Sequence, residues 1–422
     1  MISKRKAMDL LSGKRFDILA KYIYAKYRHI ESDFPLDIYR HHLQVWNNCN
    51  EITDASKSNF EDFKREFDNI IDSIANRGFD PEISRVPLVA GSLANGAHRV
   101  AASILHNKDV CCVAGVPTDG QVECGYDFFR NRNVHVPTGI DSSYADRMAL
   151  EYCNLKDDTF IVTIFPSAPG TTETARRLLS SCCDIIYEKR FELTNNGPFN
   201  FIRTLYDGEW WIGTRHNMYQ GVYPKMDLCY DGGRTGETIA FLVECSDSKI
   251  LPEIKEKIRT VYGIGKHSVH INDTREETLR ISRAIFNDNS IHFMNNSKKN
   301  FYDNFERCFE KYTKWAATTG VNMDDLCVDS SAVLSAYGIR DCRDLDFLYA
   351  GKHIDTGMLD VSCHNEEMKH YPCSKDDIIY NPSHHFYYRG VKFASIDIVR
   401  KMKENRGEQK DILDCQLTKE LM

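Results

Sequence analysis

The spacing of hydrophobic and polar positions changes several times along the chain and predicts the order of its helices and strands. Apolar residues recur at helical spacing over residues 16–30 and 58–79, which predicts two helices. Residues 83–116 instead have the pattern of a strand, a tight turn, a helix and a second strand. The alternation restarts at residue 158 and continues to a polar break at residues 295–304.

The last block opens with a predicted helix at residues 305–320 and continues with short strands and a charged helical tail. We therefore expect a mixed α/β and α+β protein of several domains. The predicted divisions are residues 1–125, a connector at 126–157, residues 158–297 and residues 298–422.

Composition narrows the class of protein. Hydrophobic residues make up 42% of the 422 positions and charged residues 27%, which is typical of globular proteins. No apolar run approaches the roughly 20 residues that a membrane span needs, so we expect none. The net charge of −7 argues against nucleic acid as a partner. The 15 cysteines contain no Cys-x-x-Cys pair, which favours reduced thiols and a cytoplasmic location.

The first candidate site is the turn Asn95-Gly96-Ala97-His98-Arg99, which directly precedes a predicted helix. Free N–H groups at a helix start bind anions, and Arg99 can add a two-pronged phosphate contact. A plain strand–turn–helix connection with a solvated arginine is the alternative. The Gly-x-His-Arg motif resembles the phosphate-binding turn of the ParB/sulfiredoxin-like fold, over about residues 60–115. The resemblance implies that Gly96, His98 and Arg99 contact the phosphates of ATP or CTP.

The second candidate site is the stretch "GIGKHSVHINDT" at residues 263–274, which carries His267 and His270. Metal binding, with Asp273 as a third ligand, phosphoryl relay and surface decoration are all open from the residues alone. An uncharged imidazole is a good nucleophile toward phosphorus, which favours relay.

Residues 158 to about 290 resemble a diverged nucleoside-diphosphate kinase domain, which implies a ferredoxin-like fold. The strand "DTFIVTIFPSA" matches the family's first strand, and residues 263–274 match its signature Asn-x-x-His-Gly-Ser-Asp-Ser. The match places His270 on the catalytic histidine, and it assigns phosphate or nucleotide contacts to Arg259, Asp273 and Thr274. Three positions depart from the family: His267 replaces its Asn, Ile271 its Gly, and Phe165 its first-strand Lys. His267 and Lys266 are the candidate substitute cations, and a structural remnant is the alternative.

The third candidate site is "DLDF", in which Asp344 and Asp346 lie two apart on a predicted strand and so share a face. Two neighbouring carboxylates repel unless a cation lies between them, which suggests catalytic Mg²⁺. An acidic strand pairing with "RKMK" in the tail is the alternative.

This segment resembles the nucleotidyltransferase fold, in which a glycine turn precedes Asp-h-Asp-h and a third acid follows. The resemblance makes Gly338 the nucleotide-binding turn and Asp360 the third acid, with Asp397 second to it. The tail is similar to that of minor nucleotidyltransferases and assigns nucleotide contacts to Lys403, with Lys401 as the alternative, and to Lys410. Ile339 after Gly338 departs from the usual Gly-Ser or Gly-Gly. Cys363, His364, His370 and Cys373 could instead offer zinc ligands, but their spacing matches no common finger.

Three successive segments thus each resemble a domain that handles nucleotide phosphates. Together they predict a cytoplasmic transferase that uses an NTP, ATP or CTP, and Mg²⁺ to phosphorylate or nucleotidylate a small molecule such as a sugar or an amino alcohol. The combination also resembles proteins of bacterial surface-polysaccharide biosynthesis. The alternative is a catalytically degenerate nucleotide-binding or scaffold protein, and homo-oligomer formation stays open.

Overall fold

The computed structural model describes residues 2–51, 57–115, 123–232 and 236–421. The chain divides into two compact units: unit 1 contains Met1–Lys156 and Asp184–Tyr187, and unit 2 contains Asp157–Cys183 and Glu188–Met422. The fold is mixed α/β and has more than one compact unit, as predicted. Residues 158–297, apart from Asp184–Tyr187, and residues 298–422 lie together in unit 2, although sequence patterns assign them to separate domains. Within the described residues, every helix is too short or too polar to span a lipid bilayer.

The described part of unit 1 contains one four-stranded sheet and six α-helices. The elements are β1 (Ile2–Lys6), α1 (Asp17–Tyr27), α2 (Phe34–Asn47), α3 (Phe60–Arg77), β2 (Val86–Val89), β3 (Ser92–Leu93), α4 (Ala97–Leu105), β4 (Asp109–Ala114), α5 (Tyr126–Asn131) and α6 (Ser142–Leu155).

The sheet of unit 1 has the strand order β1-β4-β2-β3, with β2 and β4 parallel and the outer pairs antiparallel. Helix α3 is amphipathic because its apolar residues recur every three or four positions, and Phe63, Phe67, Ile71 and Ile74 are buried as a result. Gly78, which follows α3, has a positive φ of 77° and ends the helix.

Unit 2 contains two sheets in its described residues. Its elements are β5 (Thr159–Ile164), α7 (Thr172–Ser180), β6 (Asp184–Leu193, whose first four residues belong to unit 1), α8 (Gly197–Leu205), α9 (Val222–Cys229), β7 (Gly236–Glu244), α10 (Leu251–Tyr262), β8 (Val269–Ile271), α11 (Arg275–Ile285), α12 (Asp288–Asn296), α13 (Asp303–Thr319), β9 (Leu326–Val328), α14 (Ser330–Ala336), β10 (Leu345–Tyr349), β11 (Val361–Cys363), α15 (Lys375–Tyr380), β12 (His385–Tyr388), β13 (Val391–Ala394), α16 (Ile396–Arg406) and α17 (Gln409–Leu417).

The first sheet of unit 2 has the order β6-β7-β5-β8, and β5 pairs antiparallel with both neighbours. All six residues of β5 are buried, which fits its unbroken apolar run in the sequence. Strand β8 is only three residues long, so its register depends on a few contacts. Asn272, which follows it and is fully buried, accepts from Ile161 N at 2.6 Å and donates to Thr278 Oγ1 at 2.8 Å.

The second sheet of unit 2 has the order β11-β10-β9-β13-β12. Strand β10 runs antiparallel to β9, so the segment that leaves β9 lies beside the start of β10. Strand β11 runs parallel to β10 and, being only three residues long, ends beside the middle of β10. Phe347 pairs with Val328 on β9 and with Cys363 on β11. The residues just beyond those partners, Asp329 and His364, therefore come close to Asp346.

Replacing Asn272 by Ala should destabilise unit 2 by about 1–3 kcal/mol, because it leaves the buried Ile161 N–H without its acceptor. The measurement is chemical denaturation followed by circular dichroism. The matched control is Asn405→Ala, since Asn405 is exposed on α16 and donates only to His370 O at 2.9 Å. Equal effects of the two substitutions would contradict a role for Asn272 in holding β8.

Candidate functional site

The side chain of His270 occupies the centre of a buried polar region in unit 2. It lies on β8 directly opposite Thr163 of β5, and residues paired in this way project from the same face of a sheet. His270 is 8% exposed and Thr163 is fully buried. Neither His270 Nε2 nor Thr163 Oγ1 has a hydrogen-bond partner within the described residues.

Two further nitrogens, on the segments that precede β8, are also buried without a hydrogen-bond partner among the described residues: Arg259 Nε and His267 Nδ1. Each buried polar group left without a hydrogen bond costs about 1–3 kcal/mol, and such groups are rare in native proteins. Four of them in neighbouring segments indicate a place where a polar ligand or ordered water completes the hydrogen bonds.

The charges that act most strongly on the pKa of His270 are positive, although Lys255, Arg259 and Arg280 each also lie within 4 Å of a carboxylate. Burial, followed by the positive charges of Lys255, Lys225, Arg259 and Arg280, lowers the pKa of His270 to about 3. Burial and the charges of Lys225, Lys266 and Arg259 also lower the pKa of His267. At neutral pH the imidazole of His270 is therefore uncharged, and the surrounding cations favour an anionic ligand.

Lys225 places a cation next to the ring of Phe165. Phe165 is 1% exposed and packs edge-on against Tyr230, with ring centroids 5.9 Å apart. Lys225, from α9, has its Nζ 5.5 Å from the Phe165 ring centroid and 5.6 Å from that of Tyr206. Tyr206 in turn lies edge-on to His270 at 5.0 Å. Lys225 and Tyr206 are not predicted from the sequence, because no motif marks them within residues 195–232.

Lys225 is 9% exposed, and its Nζ donates to Lys266 O at 2.5 Å. We call the region the His270 pocket and define it by six residues: Thr163, Tyr206, Lys225, Arg259, His267 and His270. Of the two proposed substitute cations, Lys266 is exposed, whereas its backbone carbonyl anchors Lys225. Uncharged His267 contributes an unpartnered nitrogen to the pocket instead of a cation.

Asp273 and Thr274 are exposed at the start of α11. Thr274 Oγ1 accepts from Glu277 N at 3.3 Å, and Glu277 Oε2 accepts from Thr274 N at 3.2 Å and Asp273 N at 2.7 Å. These bonds form a capping box, so both residues fix the turn that follows His270. Asp273 also lies 3.8 Å from Lys255 Nζ.

The three residues predicted in unit 1 do not converge on one ligand position. Gly96, with φ of 101°, precedes α4, and a Cβ there would lie 2.9 Å from Arg99 Nη2. Arg99 Nη1 donates to Arg85 O at 3.0 Å. The glycine thus leaves room for the arginine side chain to fold back over it.

His98 is directed into an aromatic cluster instead. Its Nε2 is 2.8 Å from the Tyr39 hydroxyl, and its ring lies edge-on to Phe67 at 4.7 Å. Burial, followed by the charge of Lys21, lowers the pKa of His98 well below its usual value, so it carries no charge for a phosphate. Arg99 does line a cavity of about 270 Å³ with Glu66, Ser73 and Arg77.

A second polar cluster in unit 2 joins Asp329, Asp346 and His364, whose potential ligand atoms all lie within 4.8 Å of one another. Asp329 is fully buried after β9; His364 Nδ1 lies 3.3 Å from its Oδ1, and the Tyr371 hydroxyl donates to its Oδ2. Ser362 Oγ donates to Asp346 Oδ1 at 3.2 Å. We call these three ligand residues the Asp329 cluster.

Burial, followed by the charge of Asp329, raises the pKa of Asp346 to about 6. Burial opposes the charged form of His364, but Asp329 and Asp346 outweigh it and raise its pKa to about 9. At neutral pH the cluster therefore holds an Asp329–His364 ion pair beside a second carboxylate. Mg²⁺ prefers oxygen ligands, such as the two carboxylates and water. His364 can bind a metal ion only after its ion pair with Asp329 breaks.

The Asp329 cluster contains only one residue, Asp346, of the Asp344–Asp346 metal site predicted from the sequence. Asp344 is half-buried just before β10 and lies outside the group of three, although its charge contributes to the raised pKa of Asp346. Asp360 is held by Arg307 and by Lys311, whose Nζ is 2.6 Å away. The structure thus pairs Asp346 with Asp329 instead of Asp344. The sequence signal for Asp329 is a polar residue directly after the buried strand "LCV".

Gly338 forms a structural turn away from the cluster. Its N–H donates to Ser335 O at 2.9 Å, and its carbonyl accepts from Asn300 Nδ2 at 2.8 Å. A Cβ at its φ of 70° would lie 2.6 Å from Lys298 O, which explains why a glycine is required. Since its N–H is already bonded, Gly338 cannot offer it to a nucleotide phosphate.

The tail charges are paired with one another. Lys403 is 2% exposed, with Nζ 3.2 Å from Asp411 Oδ1 and 2.9 Å from Asp414 Oδ2. Arg406 binds Asp411 through two hydrogen bonds, and Arg340 binds Asp414 in the same way. Burial acts against ionisation, but Arg406 and Lys403 outweigh it and lower the pKa of Asp411 to about 2. Lys403 therefore stabilises the tail.

The remaining tail candidates are on the surface. Lys410 is exposed and contacts Glu408 at 3.0 Å, and Lys401 donates to Asp397 at 2.6 Å.

The four residues considered for zinc, Cys363, His364, His370 and Cys373, do not form one group. His370 lies 3.6 Å from Glu367, whereas Cys373 groups with Asp377 and His384.

No family model, curated protein or solved structure matches the chain. The two candidate sites in unit 2 therefore rest on the geometry of this chain alone: a buried cationic pocket around a neutral histidine, and a buried acidic cluster.

The His270 pocket makes stability depend on pH. Because the folded-state pKa of about 3 lies below the unfolded value of 6.5, unfolded protein binds the extra proton between these pH values. The free energy of unfolding of unit 2 should therefore fall as the pH drops from 7 to 5, and His270 should contribute about 2 kcal/mol of that fall. Denaturation at both pH values should show a shallower dependence in His270→Gln than in the wild type. The exposed control His216→Gln should keep the wild-type slope, and an unchanged slope in His270→Gln would refute the assignment.

Proposed function

We propose that the chain is an NTP- and Mg²⁺-dependent transferase of phosphorus-containing groups whose His270 pocket binds the transferred phosphate. The observation that carries this proposal is the set of four unpartnered polar atoms among cations, centred on an uncharged imidazole. A phosphate group supplies the missing acceptors for Arg259 and His267 and the negative charge that the cations favour.

The chemistry is phosphoryl relay through His270. In the tautomer that carries its proton on Nδ1, the Nε2 lone pair attacks the terminal phosphorus of the NTP, and the bond to the bridging oxygen breaks to release NDP. An acceptor hydroxyl then takes the phosphoryl group from the histidine and releases its proton to solvent. Lys225 and Arg259 offset the negative charge on the transferred oxygens, and Tyr206 holds the imidazole ring.

The strand order around the pocket supports the kinase-like assignment. The sheet order β6-β7-β5-β8, with α7 and α10 as the connecting helices, agrees with a ferredoxin-like βαββαβ arrangement. Lys225 beside Phe165 is a candidate replacement for the family's lysine. The acceptor class remains a sugar or amino alcohol, and surface-polysaccharide assembly remains the proposed setting.

A second candidate function, nucleotidyl transfer, is favoured by the Asp329 cluster. Asp329 and Asp346 would hold Mg²⁺, which when bound supplies charge neutralisation to triphosphate oxygens. Ser362 and Tyr371 orient the two carboxylates through their hydrogen bonds. The alternative for both sites is nucleotide binding without turnover, in a sensing or scaffold protein.

Incubation with γ-labelled ATP or CTP and Mg²⁺ should give acid-labile label on the protein. His270→Ala should abolish this label, and His216→Ala should retain it. Lys225→Ala should reduce the labelling rate by about 10²-fold, because it removes a charged group that stabilises the transition state. Adding Phe165→Lys to Lys225→Ala should recover part of the rate if a cation at this place is what matters.

Label that persists in His270→Ala would refute the relay. NTP binding, measured by equilibrium dialysis, without any labelling in the wild type would favour the scaffold alternative.

The metal site is tested by titrating Mn²⁺, a paramagnetic substitute for Mg²⁺, and measuring the free ion by electron paramagnetic resonance. Asp346→Asn should weaken Mn²⁺ binding by at least about tenfold because it removes one of two carboxylate ligands. Asp355→Asn, an exposed carboxylate outside the cluster, should match the wild type. A loss in Asp344→Asn but not in Asp346→Asn would restore the metal pair expected from the sequence and refute the Asp329 cluster.

A further inference from the structure

A third group of side chains in unit 2 lies outside both sites. Cys373 lies two residues before α15, Asp377 is in the first turn of that helix, and His384 ends the short 3-10 turn Pro382–His384. Ser374 caps the helix by accepting from Asp377 N at 3.1 Å. The turn is closed by the bond from His384 N to Asn381 O at 3.0 Å. These local bonds bring the three side chains together.

The potential ligand atoms of Cys373, Asp377 and His384 all lie within 4.8 Å of one another, and all three residues are half-buried. His384 Nε2 is 2.9 Å from Asp377 Oδ2. The other carboxylate oxygen accepts from Asn381 Nδ2 at 3.1 Å, which fixes the orientation of the carboxylate. Such outer hydrogen bonds are typical of groups that orient metal ligands.

The donor set distinguishes this group from the Asp329 cluster. A thiolate, an imidazole and a carboxylate are ligands of Zn²⁺, with ligand bonds of about 2.0–2.3 Å, whereas Mg²⁺ prefers oxygen alone. In a tetrahedral zinc site the ligand atoms lie roughly 3.5 Å apart, so the group needs only a small contraction. Within the described residues, these two groups are the candidates for a metal ion.

We propose that Cys373, Asp377 and His384 bind Zn²⁺ as three protein ligands, with water in the fourth position. On binding, the thiol proton of Cys373 passes to solvent, and the imidazole of His384 exchanges its Nε2 proton through solvent for one on Nδ1. The Asp377–His384 hydrogen bond is then replaced by two metal–ligand bonds. The ion closes the loop between Cys373 and His384.

The test is titration of the metal-free full chain with Co²⁺, which occupies zinc sites and shows its ligands by absorption. The wild type should give tetrahedral d–d bands and a sulfur-to-cobalt charge-transfer band, and one equivalent of Zn²⁺ should remove both. Cys373→Ser should lose the charge-transfer band. The control Cys363→Ser, a half-buried thiol outside the group, should keep it.

Zn²⁺ should also protect Cys373 from alkylation, mapped by mass spectrometry, and His384→Ala should lose this protection. This second measurement stays informative if Cys373→Ser fails to fold. A charge-transfer band that survives in Cys373→Ser, or wild-type protein without any thiolate–cobalt band, would overturn the proposal. These results are independent of phosphoryl transfer, because none of the three residues belongs to the His270 pocket or the Asp329 cluster.

Discussion

The pairing of β8 with β5 is the constraint on which the main candidate site depends. Strand β8 has three residues, and its register decides whether His270 or a neighbour faces Thr163. A shift by one position would turn His270 to the opposite face of the sheet. Asn272 prevents this by tying β5 to the start of α11, and the capping box at Thr274 fixes the next turn. Asp273 and Thr274 thus fix the turn that follows His270, and they are not among the residues that define the pocket.

Burial and charge together determine what each site can hold. Around His270 the charges that act most strongly are positive and the imidazole stays neutral, so the pocket favours an anion. Around Asp329 the carboxylates dominate: their charges keep a proton on His364 against the effect of burial, whereas burial and the charge of Asp329 draw one toward Asp346. The sign of the neighbouring charges therefore gives two sites of opposite preference in one unit.

The strand–helix alternation could be predicted from the sequence because apolar periodicity is a local pattern. His270 is a candidate from the sequence because it lies in a short motif, and its role stays a prediction. The sequence could not identify Lys225 or Asp329, whose importance comes from strands and helices far apart in the chain. The sequence also does not show that the two buried lysines, Lys403 and Lys225, differ in their surroundings. Asp411 and Asp414 neutralise Lys403, whereas Lys225 Nζ donates to a backbone carbonyl and lies near two aromatic rings. That distinction is a property of tertiary contacts. His98 shows the same limit, because its ring belongs to the aromatic cluster of Tyr39 and Phe67.

The position of Lys225 on a short helix, and not on a strand of the sheet, has a kinetic consequence. A cation on a central strand leaves its site only when the whole sheet unfolds. Lys225 instead lies on an eight-residue helix, α9, and short helices open locally at a lower free energy than central strands. Each local opening of α9 withdraws the positive charge and wets the aromatic rings while the sheet stays intact. The contribution of Lys225 to the charge of the pocket is thus reversible, and its lifetime is set by the opening of one short helix.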